Sequence, residues 1–396
     1  MKTWNTQTIA DLGKVVTGKT PPSSNPEQFG DKYPFITPSD IEWGAKSVAT
    51  ERALSEKGKD AHQRILLPRK SVCVVCIASI GKVCFTSEDS VTNQQINSII
   101  VDAKNHDPDF VFYLASLLRS TLEAYAGGTA TPIVNKGSFS KIKVQVPERS
   151  IQRKIAAILT AYDGLIETNK RRIALLEKMV EELYREWFAR MRFPGHQNTK
   201  FVKGVPEGWE IKRLGEILEL AYGKALKESD REPGEFHVYG SGGIVGSHSK
   251  ALVKNKGIIV GRKGNVGAVH LSDRGFFPID TVFYVVSELP LTFLFFLLRT
   301  MNFINNDAAV PGLNRNQAYS NQLFYPGSDL ITKFAEMADP IFDAKHQIQA
   351  QNENLTQTRD LLLPRLISGK LSVEDLDIQF PPSMQEEAIE PEPAHA

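Results

Sequence analysis

The amino-acid sequence predicts an α+β fold in which two globular domains are separated by a pair of long antiparallel helices, with an internal pseudo-twofold repeat. Three observations predict this fold: two long stretches with helical periodicity, a repetition of the chain at nearly constant offsets, and short apolar runs bounded by Gly and Pro. A long helix cannot leave an apolar seam in water, so the two helices are expected to pair as a coiled coil.

The long helices are predicted at 150–190 and 330–371, where apolar residues recur every three or four positions. Three polar residues, Asn169, Lys345 and Asn352, fall on the same faces and are expected to fix the register of the pair. The apolar seam is expected to comprise Ile158, Leu165, Leu176, Leu183, Ile341, Ile348, Leu355 and Leu362.

The ends of the long helices carry recognisable signals. Ser150 is predicted to be the N-cap of the first helix, because a serine side chain can accept a bond from a free amide of the first turn. Pro340 is predicted to interrupt the second helix, which would restart with Asp339 as its cap. Ser368 and Gly369 are predicted to end it.

The chain repeats itself. Arg119 and Arg299 occupy corresponding positions 180 residues apart, and Gly81 and Gly267 correspond at an offset of 186. The offset is variable in the globular parts and constant in the helices, which indicates two divergent domains on a matched pair of helices. The predicted boundaries are 1–148 for the first globular domain, 149–192 for the first long helix, 193–204 for a linker, 205–328 for the second globular domain, 329–371 for the second long helix and 372–396 for an acidic, disordered tail.

Within the globular domains, the apolar runs at 71–79 and around 256–269 predict buried strands. The stretches 107–120 and 291–300 have helical periodicity. The three cysteines are too few for a disulfide framework and lie among Val and Ile, so they are predicted to be core residues in a reducing cytoplasm. No run of about 18 apolar residues predicts a membrane span.

Charge is distributed unevenly along the chain. Seven of the 46 acidic residues follow Lys370, where no Lys or Arg occurs, so the preceding residues carry 47 basic against 39 acidic side chains. A mildly basic body with an acidic tail is compatible with a nucleic-acid-binding protein and equally with ordinary solubility.

The segment Gly13 to Thr20 has the spacing of a nucleotide-binding P-loop. A working P-loop requires a helix directly after its Lys and Thr, whereas here Pro21 and Pro22 follow. Cys73, Cys76 and the histidines lack the spacing of a zinc site, and no hydrolase, methyltransferase or nuclease motif is present. The sequence therefore predicts a non-catalytic protein without a metal site.

Polar side chains recur at corresponding loops of the two domains. Asn and Gln can bind adenine with two hydrogen bonds, Arg and Lys can bind guanine, and Ser, Thr and amides can hold phosphates, so these loops are predicted to bind DNA. The candidate residues are Lys19, Thr37, Ser39, Asp40, Ser79, Lys82, Asn93, Gln94, Gln95, Thr129, Lys136, Tyr222, Lys224, Tyr239, Ser241, Arg262, Lys263, Asn265, Asp280, Asn314 and Arg315.

Five stretches together with this repeat resemble the specificity subunit of type I restriction–modification systems. They are TNQQINSIIV (92–101), REWFARMRFPGH with VPEGWE (185–210), GRKGNVG (261–267), FFPIDTVFYV (276–285) and RDLLLPRLISGKLSV (359–373). The resemblance covers the chain up to about residue 375, and the lengthened acidic tail departs from it.

The resemblance implies two target-recognition domains that each read one half of a bipartite site in double-stranded DNA, with the helix pair setting the spacer. It also implies docking of two adenine-methyltransferase subunits and, through them, of restriction (nuclease–translocase) subunits. S-adenosylmethionine, ATP and Mg²⁺ would then bind the partner subunits, and no cofactor would bind this chain. The alternatives are a targeting subunit of a methyltransferase-only or related defence system, a helical scaffold that does not bind DNA, and an NTPase using Gly13 to Thr20.

Overall fold

The computed structural model describes residues 4–126, 132–303, 312–381 and 384. The chain forms two units, one comprising residues 1–167 and 353–396 and the other residues 168–352. Each long helix therefore contributes one part to each unit. Within the described residues, none of the helices combines the length and apolarity needed to cross a membrane.

The first unit contains two four-stranded sheets and a strand pair. One sheet has the order β2-β9-β6-β7, the other has the order β3-β5-β4-β8 with β4 and β8 parallel, and β1 pairs with β10. Its strands are β1 Asn5–Thr8, β2 Gly13–Thr17, β3 Phe29–Gly30, β4 Tyr33–Ile36, β5 Arg52–Leu54, β6 Val72–Val75, β7 Val83–Phe85, β8 Val91–Thr92, β9 Ile96–Val101 and β10 Lys143–Val146. Its shorter helices are α1 Glu56–Ala61, α2 Pro108–Ser116, α3 Arg119–Tyr125 and α4 Lys136–Ser140.

The second unit repeats this plan. Its main sheet has the order β14-β20-β17-β18, a smaller sheet has the order β16-β15-β19 with β15 and β19 parallel, and β13 pairs with β21. Its strands are β11 Phe201–Val202, β12 Val205–Pro206, β13 Glu210–Arg213, β14 Glu219–Tyr222, β15 Phe236–Gly240, β16 Gly243–His248, β17 Gly257–Gly261, β18 Val269–Ser272, β19 Phe276–Pro278, β20 Val282–Val286 and β21 Gln322–Tyr325. Its shorter helices are α6 Leu291–Thr300 and α7 Arg315–Ser320.

The predicted buried strands and domain helices are present. β6 and β17 are buried along their whole length in the two main sheets, and α2 and α6 pack their apolar faces against these sheets. Cys73, Cys76 and Cys84 are buried, as predicted, with Cys73 and Cys84 facing each other across β6 and β7. Continuous burial, rather than alternation, is what the apolar runs indicated.

The first long helix is α5 Arg149–Tyr184, which a π-helical turn extends over Arg185–Ala189. The predicted N-cap at Ser150 is wrong. The helix starts at Arg149, one residue before the predicted cap. The carbonyl of Glu148 accepts hydrogen bonds from the amides of Ile151 and Gln152. Ser150 instead donates its hydroxyl to the Glu148 carboxylate at 2.8 Å.

The second long helix is α8 Ser328–Ile367, and it continues through Pro340. The predicted interruption is therefore wrong. Pro340 lies on the exposed side of the helix, as does Glu336, whose carbonyl loses its amide donor. Water can solvate that carbonyl, and burial of Phe334 and Phe342 holds the helix together. Gly369, in the left-handed conformation at φ 72°, follows the end of the helix as predicted.

The seam between α5 and α8 is apolar at its ends and includes the polar residues Asn169, Lys345 and Asn352. In the second unit Val180, Tyr184 and Trp187 pack with Phe334 and Ala338 in one core. The seam prediction is wrong at Leu165, whose side chain is 46% exposed, while the neighbouring Ile166 is buried. The remaining predicted seam residues are partly buried: Ile158, Leu176, Leu183, Ile341, Ile348, Leu355 and Leu362.

The segment after α8 returns to the core of the first unit. Val373 and Met384 are buried there, and Ile378 and Phe380 pack against the same core. Lys154 donates to the carbonyl of Glu374 at 2.6 Å. This packing differs from the expected disordered tail over residues 372–381; most of the acidic remainder lies outside the described residues.

Candidate nucleic-acid interface

The candidate residues of the first unit lie on loops that meet at one end of its sheets. We call this the first loop cluster, defined as residues 18–20, 36–40, 76–82, 92–96 and 132–136. The backbone joins these loops directly. The bonds run from Gly18 N to Ile96 O (3.2 Å), Lys19 N to Thr92 O (2.9 Å), Asn93 N to Ile36 O (3.0 Å), Cys76 N to Gln95 O (2.8 Å) and Val134 N to Cys76 O (2.9 Å).

The second loop cluster comprises residues 222–225, 239–243, 262–267, 278–282 and 312–315, and the same bonds join it. They run from Gly223 N to Val282 O (3.2 Å), Lys224 N to Pro278 O (3.0 Å), Ile279 N to Tyr239 O (2.9 Å), Arg262 N to Thr281 O (2.9 Å) and Leu313 N to Arg262 O (2.8 Å). Because these bonds use only backbone atoms, both clusters can form them although their sequences differ.

The P-loop-like segment belongs to this frame. Gly13–Thr17 is strand β2, and the amides of Gly18 and Lys19 already donate to carbonyls of the 92–96 loop. A phosphate-binding loop instead directs such amides at the ligand from the start of a helix. The segment therefore holds the loop cluster together and differs in geometry from a nucleotide site.

Five candidates in the first cluster form hydrogen bonds that hold the loops: Thr37, Asp40, Lys82, Asn93 and Gln95. Asp40 accepts from the amide and hydroxyl of Thr37, both at 2.7 Å, and from the amide of Glu51. Asn93 and Gln95 bond to each other twice at 3.0 Å. Lys82 donates to the carbonyl of Pro38 at 3.1 Å.

The other candidates of the first cluster present their side chains to solvent. Gln94 accepts from Thr20 at 2.7 Å through its carbonyl oxygen. The exposed candidates are Lys19, Ser39, Ser79, Gln94 and Lys136. Thr129, the remaining candidate of this domain, lies outside the described residues.

In the second cluster the same division recurs. Tyr239 and Ser241 are buried, and Ser241 donates to the carbonyl of Lys263, so both serve the frame. Asn314 caps α7 by accepting from the amides of Asn316 (2.9 Å) and Gln317 (3.3 Å). The exposed candidates are Tyr222, Lys224, Lys263, Asn265, Asp280 and Asn314, with Arg262 and Arg315 partly exposed.

Two aromatic residues that the sequence analysis did not select lie at these clusters. Trp43 is 54% exposed, with the Arg119 guanidinium 4.6 Å from its ring centroid, and Arg119 itself packs against Gly81 of the first cluster. Tyr319 lies 6.0 Å from the Arg315 guanidinium. Neither residue belongs to a motif, so only the three-dimensional structure could identify them.

A network of charged groups in the first unit lies where β6 begins and β7 ends, since the amide of Phe85 donates to the carbonyl of Lys46 and the amide of Lys70 to that of Thr86. Lys46 contacts Asp109 at 3.0 Å and Asp163 at 3.6 Å, and Arg359 contacts Asp163 at 2.7 Å. Burial alone would raise the pKa of Asp109, but the ammonium groups of Lys46 and Lys70 outweigh it and hold that pKa below its ordinary value. The network joins a loop of the globular domain to both long helices.

The second unit has its own polar contacts along the seam. Asn169 donates to Asn352 at 3.0 Å, and Glu177 contacts Lys345 at 2.8 Å. Glu177 also contacts Arg299 at 2.9 Å, which ties α5 to α6. As residue numbers rise along α5 they fall along α8, so the pairing is antiparallel, as predicted.

Comparisons with known proteins agree with this arrangement. The chain matches a family model described as the type I restriction modification DNA specificity domain over residues 1–178 and 206–317, ranges that include both loop clusters. It is 26% identical over 418 residues to the type I restriction enzyme MjaIX specificity subunit of Methanocaldococcus jannaschii, covering 95% of each chain.

A second relative matches part of the chain. The type I restriction enzyme HindI specificity subunit of Haemophilus influenzae is 35% identical over 189 residues, covering 46% of this chain and 40% of that one. Among solved structures, a type I restriction–modification system S subunit from M. genitalium superposes with a TM-score of 0.58 at 18% identity, covering 93% of this chain and 99% of that one. That likeness supports the fold.

Proposed function

The chain belongs to the family of type I restriction modification DNA specificity proteins, and from this premise we propose that each of its two units reads one half of a bipartite DNA site. The chain is the DNA specificity subunit of a type I restriction–modification system. Its loop clusters are the parts that we assign to base and phosphate contacts, and its own role is recognition without catalysis.

One observation carries the assignment of half-sites. The two loop clusters share a frame of backbone hydrogen bonds, yet carry different exposed side chains at corresponding positions. Gln94 of the first cluster corresponds to Asp280 of the second, and Lys136 corresponds to Arg315. A common frame with different reading groups suits a protein that binds two unlike short sequences in the same manner.

The long helices support a second part of the proposal. α5 has 36 residues and α8 has 40, which at about 1.5 Å per residue gives lengths of about 54 and 60 Å. Half-sites about one turn of DNA apart are separated by about 34 Å, so helices of this length are long enough to set the spacer. We assign the spacer between the half-sites to this helix pair.

The same helices carry apolar side chains in solvent: Leu175, Met179, Met337 and Leu361 are all exposed. Leu175 and Met179 are four residues apart and therefore neighbours on one face of α5, and a contiguous exposed apolar patch can mark a protein interface. We assign these faces to two adenine-methyltransferase subunits, through which restriction subunits would join. S-adenosylmethionine, ATP and Mg²⁺ would belong to those partners.

The experiment that tests the recognition function is a map of modified adenines in host DNA with this gene intact and deleted. The proposal expects loss of one bipartite motif with a fixed spacer. Exchanging residues 205–327 for the corresponding domain of another specificity subunit should change one half-site and leave the other unchanged. An unchanged map on deletion, or a change in both half-sites on exchange, would contradict the proposal.

The spacer assignment needs its own test. Inserting seven residues, two helical turns, into both α5 and α8 should lengthen the unread spacer while both half-site sequences persist. Inserting the same residues into one helix alone is the control, because it mismatches the pair without lengthening it. Methylation that kept its original spacer after the double insertion would show that the helices do not set it.

A further inference from the structure

The second loop cluster has a feature that the first lacks: an exposed tyrosine ring in contact with two guanidinium groups. Tyr222 is 51% exposed. The guanidinium of Arg262 lies 5.4 Å from its ring centroid, and that of Arg315 lies 5.2 Å from it. Rings attract cations at such distances, so the tyrosine helps to fix both arginines.

The two arginines differ in what their donors do. Arg262 donates from Nε and Nη2 to the carbonyl of Asp280, at 3.2 and 2.7 Å, so its bidentate edge is occupied by the protein. Arg315 contacts the rings of Tyr222 and Tyr319, and within the described part of the chain its guanidinium donates to no protein acceptor. Arg315 is partly exposed, so this donor edge is available to a ligand.

Contacts of Tyr319 and Asn314 fix the position of Arg315. Tyr319 accepts the amide of Leu220 at 2.9 Å through its hydroxyl. Its ring also packs so closely on Gly215 that a Cβ there would lie 2.9 Å from it. Asn314 caps the helix that starts with Arg315. A guanidinium held in this way loses less conformational entropy on forming paired hydrogen bonds than one on a mobile loop.

The first loop cluster offers different chemistry at the corresponding places. The shared backbone bonds align Tyr222 with Thr17, Arg262 with Cys76 and Arg315 with Lys136. Thr17 donates to Asn97 at 2.6 Å, and Cys76 is buried. The contrast is therefore specific to the second unit, where a planar, bidentate donor replaces a lysine ammonium.

We propose that Arg315 reads a guanine in the half-site of the second unit, donating to its O6 and N7, while Arg262 and Tyr222 position it. Paired donation from arginine to guanine is the commonest base-specific contact in the major groove. The inference rests on the proposed function of the loop clusters as the DNA-reading surfaces. It extends that function by assigning a base class to one half-site and a specific residue to its recognition.

The test uses the chain assembled with its methyltransferase subunits and a DNA library in which both half-sites are randomised. Selected or methylated sequences are compared for the wild type, R315K and R315A. R315K keeps the charge and removes the bidentate donor. K136A, at the corresponding place in the first unit, is the matched control.

The wild type should select guanine at one position of the second half-site. R315K and R315A should each relax that position by at least about tenfold, which corresponds to about 1.4 kcal/mol. All other positions, including the whole first half-site, should keep their preferences, so the first half-site reports that each variant is folded. K136A should leave the second half-site unchanged.

A phosphate contact would give a different result. R315A would then weaken binding equally for all sequences, and the slope of log affinity against log salt would fall by about one, while R315K would resemble the wild type. That outcome would overturn the guanine assignment and leave the proposed function standing. Failure of the wild type to select any bipartite sequence would overturn both.

Discussion

The contact of Glu177 with Lys345 and Arg299 offers a quantitative test of how the helix pair is held. One carboxylate oxygen lies 2.8 Å from Lys345 and the other 2.9 Å from Arg299. The Lys345 side chain is 10% exposed and that of Glu177 is 31% exposed. The perturbation is Glu177→Gln, which retains the shape of the side chain and removes its charge.

The two partners should respond unequally to substitution. Removing one member of a fully buried ion pair costs about 3 to 5 kcal/mol because a charge is left uncompensated. Partial exposure of Glu177 and the remaining amide oxygen of Gln reduce this to about 1 to 3 kcal/mol for Glu177→Gln. Lys345→Met leaves Glu177 with Arg299 and solvent, so its cost should be below about 1 kcal/mol.

The effect should also depend on pH. Burial raises the pKa of Glu177, but Lys345 and Arg299 outweigh burial and hold this pKa below its ordinary value. A carboxyl with a lowered pKa in the folded state stabilises the protein above its unfolded pKa of about 4.3, and this stabilisation is lost as the pH falls through the folded value. The stability difference between wild type and Glu177→Gln should therefore shrink on acidification below about pH 4.

Urea unfolding at pH 7 and at pH 3.5 measures both effects. Glu182→Gln is the matched control, because Glu182 lies on the same helix with its side chain 40% exposed and forms only surface ion pairs. It should change the free energy of unfolding by less than about 0.5 kcal/mol. The reasoning is refuted if Lys345→Met costs as much as Glu177→Gln, or if the wild type and Glu177→Gln differ equally at both pH values.

Three further predictions concern backbone and seam. Ala78 has φ 63° where the second unit has Gly264 at φ 76°, so Ala78→Gly should stabilise and Gly264→Ala should destabilise, each by about 1 kcal/mol in urea unfolding. Asn169→Leu alone should leave the free energy of unfolding nearly unchanged, because the loss of the bond donated to Asn352 offsets the gain from a buried apolar side chain. The double variant Asn169→Leu with Asn352→Leu should raise stability by about 1 to 2 kcal/mol. Additive effects of the two substitutions in a double-mutant cycle would contradict this. Pro340→Ala should stabilise α8 by about 1 to 3 kcal/mol, and an unchanged melting temperature would show that the helix tolerates proline without cost.

The repeat made the fold predictable, because each half of the sequence tests the interpretation of the other. Gly81 and Gly267 both have positive φ, 91° and 77°, and both donate to the carbonyl at the end of the buried strand, of Val75 and Gly261 respectively. A glycine required by the backbone at the same place in both halves is a strong signal of common structure.

Local rules failed where tertiary context decides. The preference of serine for N-cap positions predicted a cap at Ser150, but the first turn of the helix is closed by hydrogen bonds to the carbonyl of Glu148. The tendency of proline to break helices led to a predicted interruption at Pro340. This residue faces water, however, while Phe334 and Phe342 are buried and keep the helix continuous. Leu165 lies seven residues after Ile158, but the buried face of α5 passes through Leu159 and Ile166, so the predicted seam is displaced by one residue there.

Residue type predicted which loops would form the clusters, but it could not separate the residues that hold a loop from those that face a ligand. Asn93 and Gln94 are adjacent amides with the same capacity to bind adenine. The structure buries Asn93 in a turn and exposes Gln94. The distinction depends on the direction in which each side chain points. Residue type alone does not predict that direction within a turn.

The division between frame and reading residues has a physical consequence for specificity. Backbone bonds, buried turn residues such as Asn93 and Tyr239, and glycines in close contact carry the frame, so its stability does not depend on the exposed side chains. Exposed substitutions away from such features usually change stability by less than about 0.5 kcal/mol. If the loop clusters read DNA as proposed, exchanging Lys136 for arginine, as found at Arg315, should therefore alter base preference at almost no cost in folding. Two copies of one frame can in this way recognise unrelated half-sites.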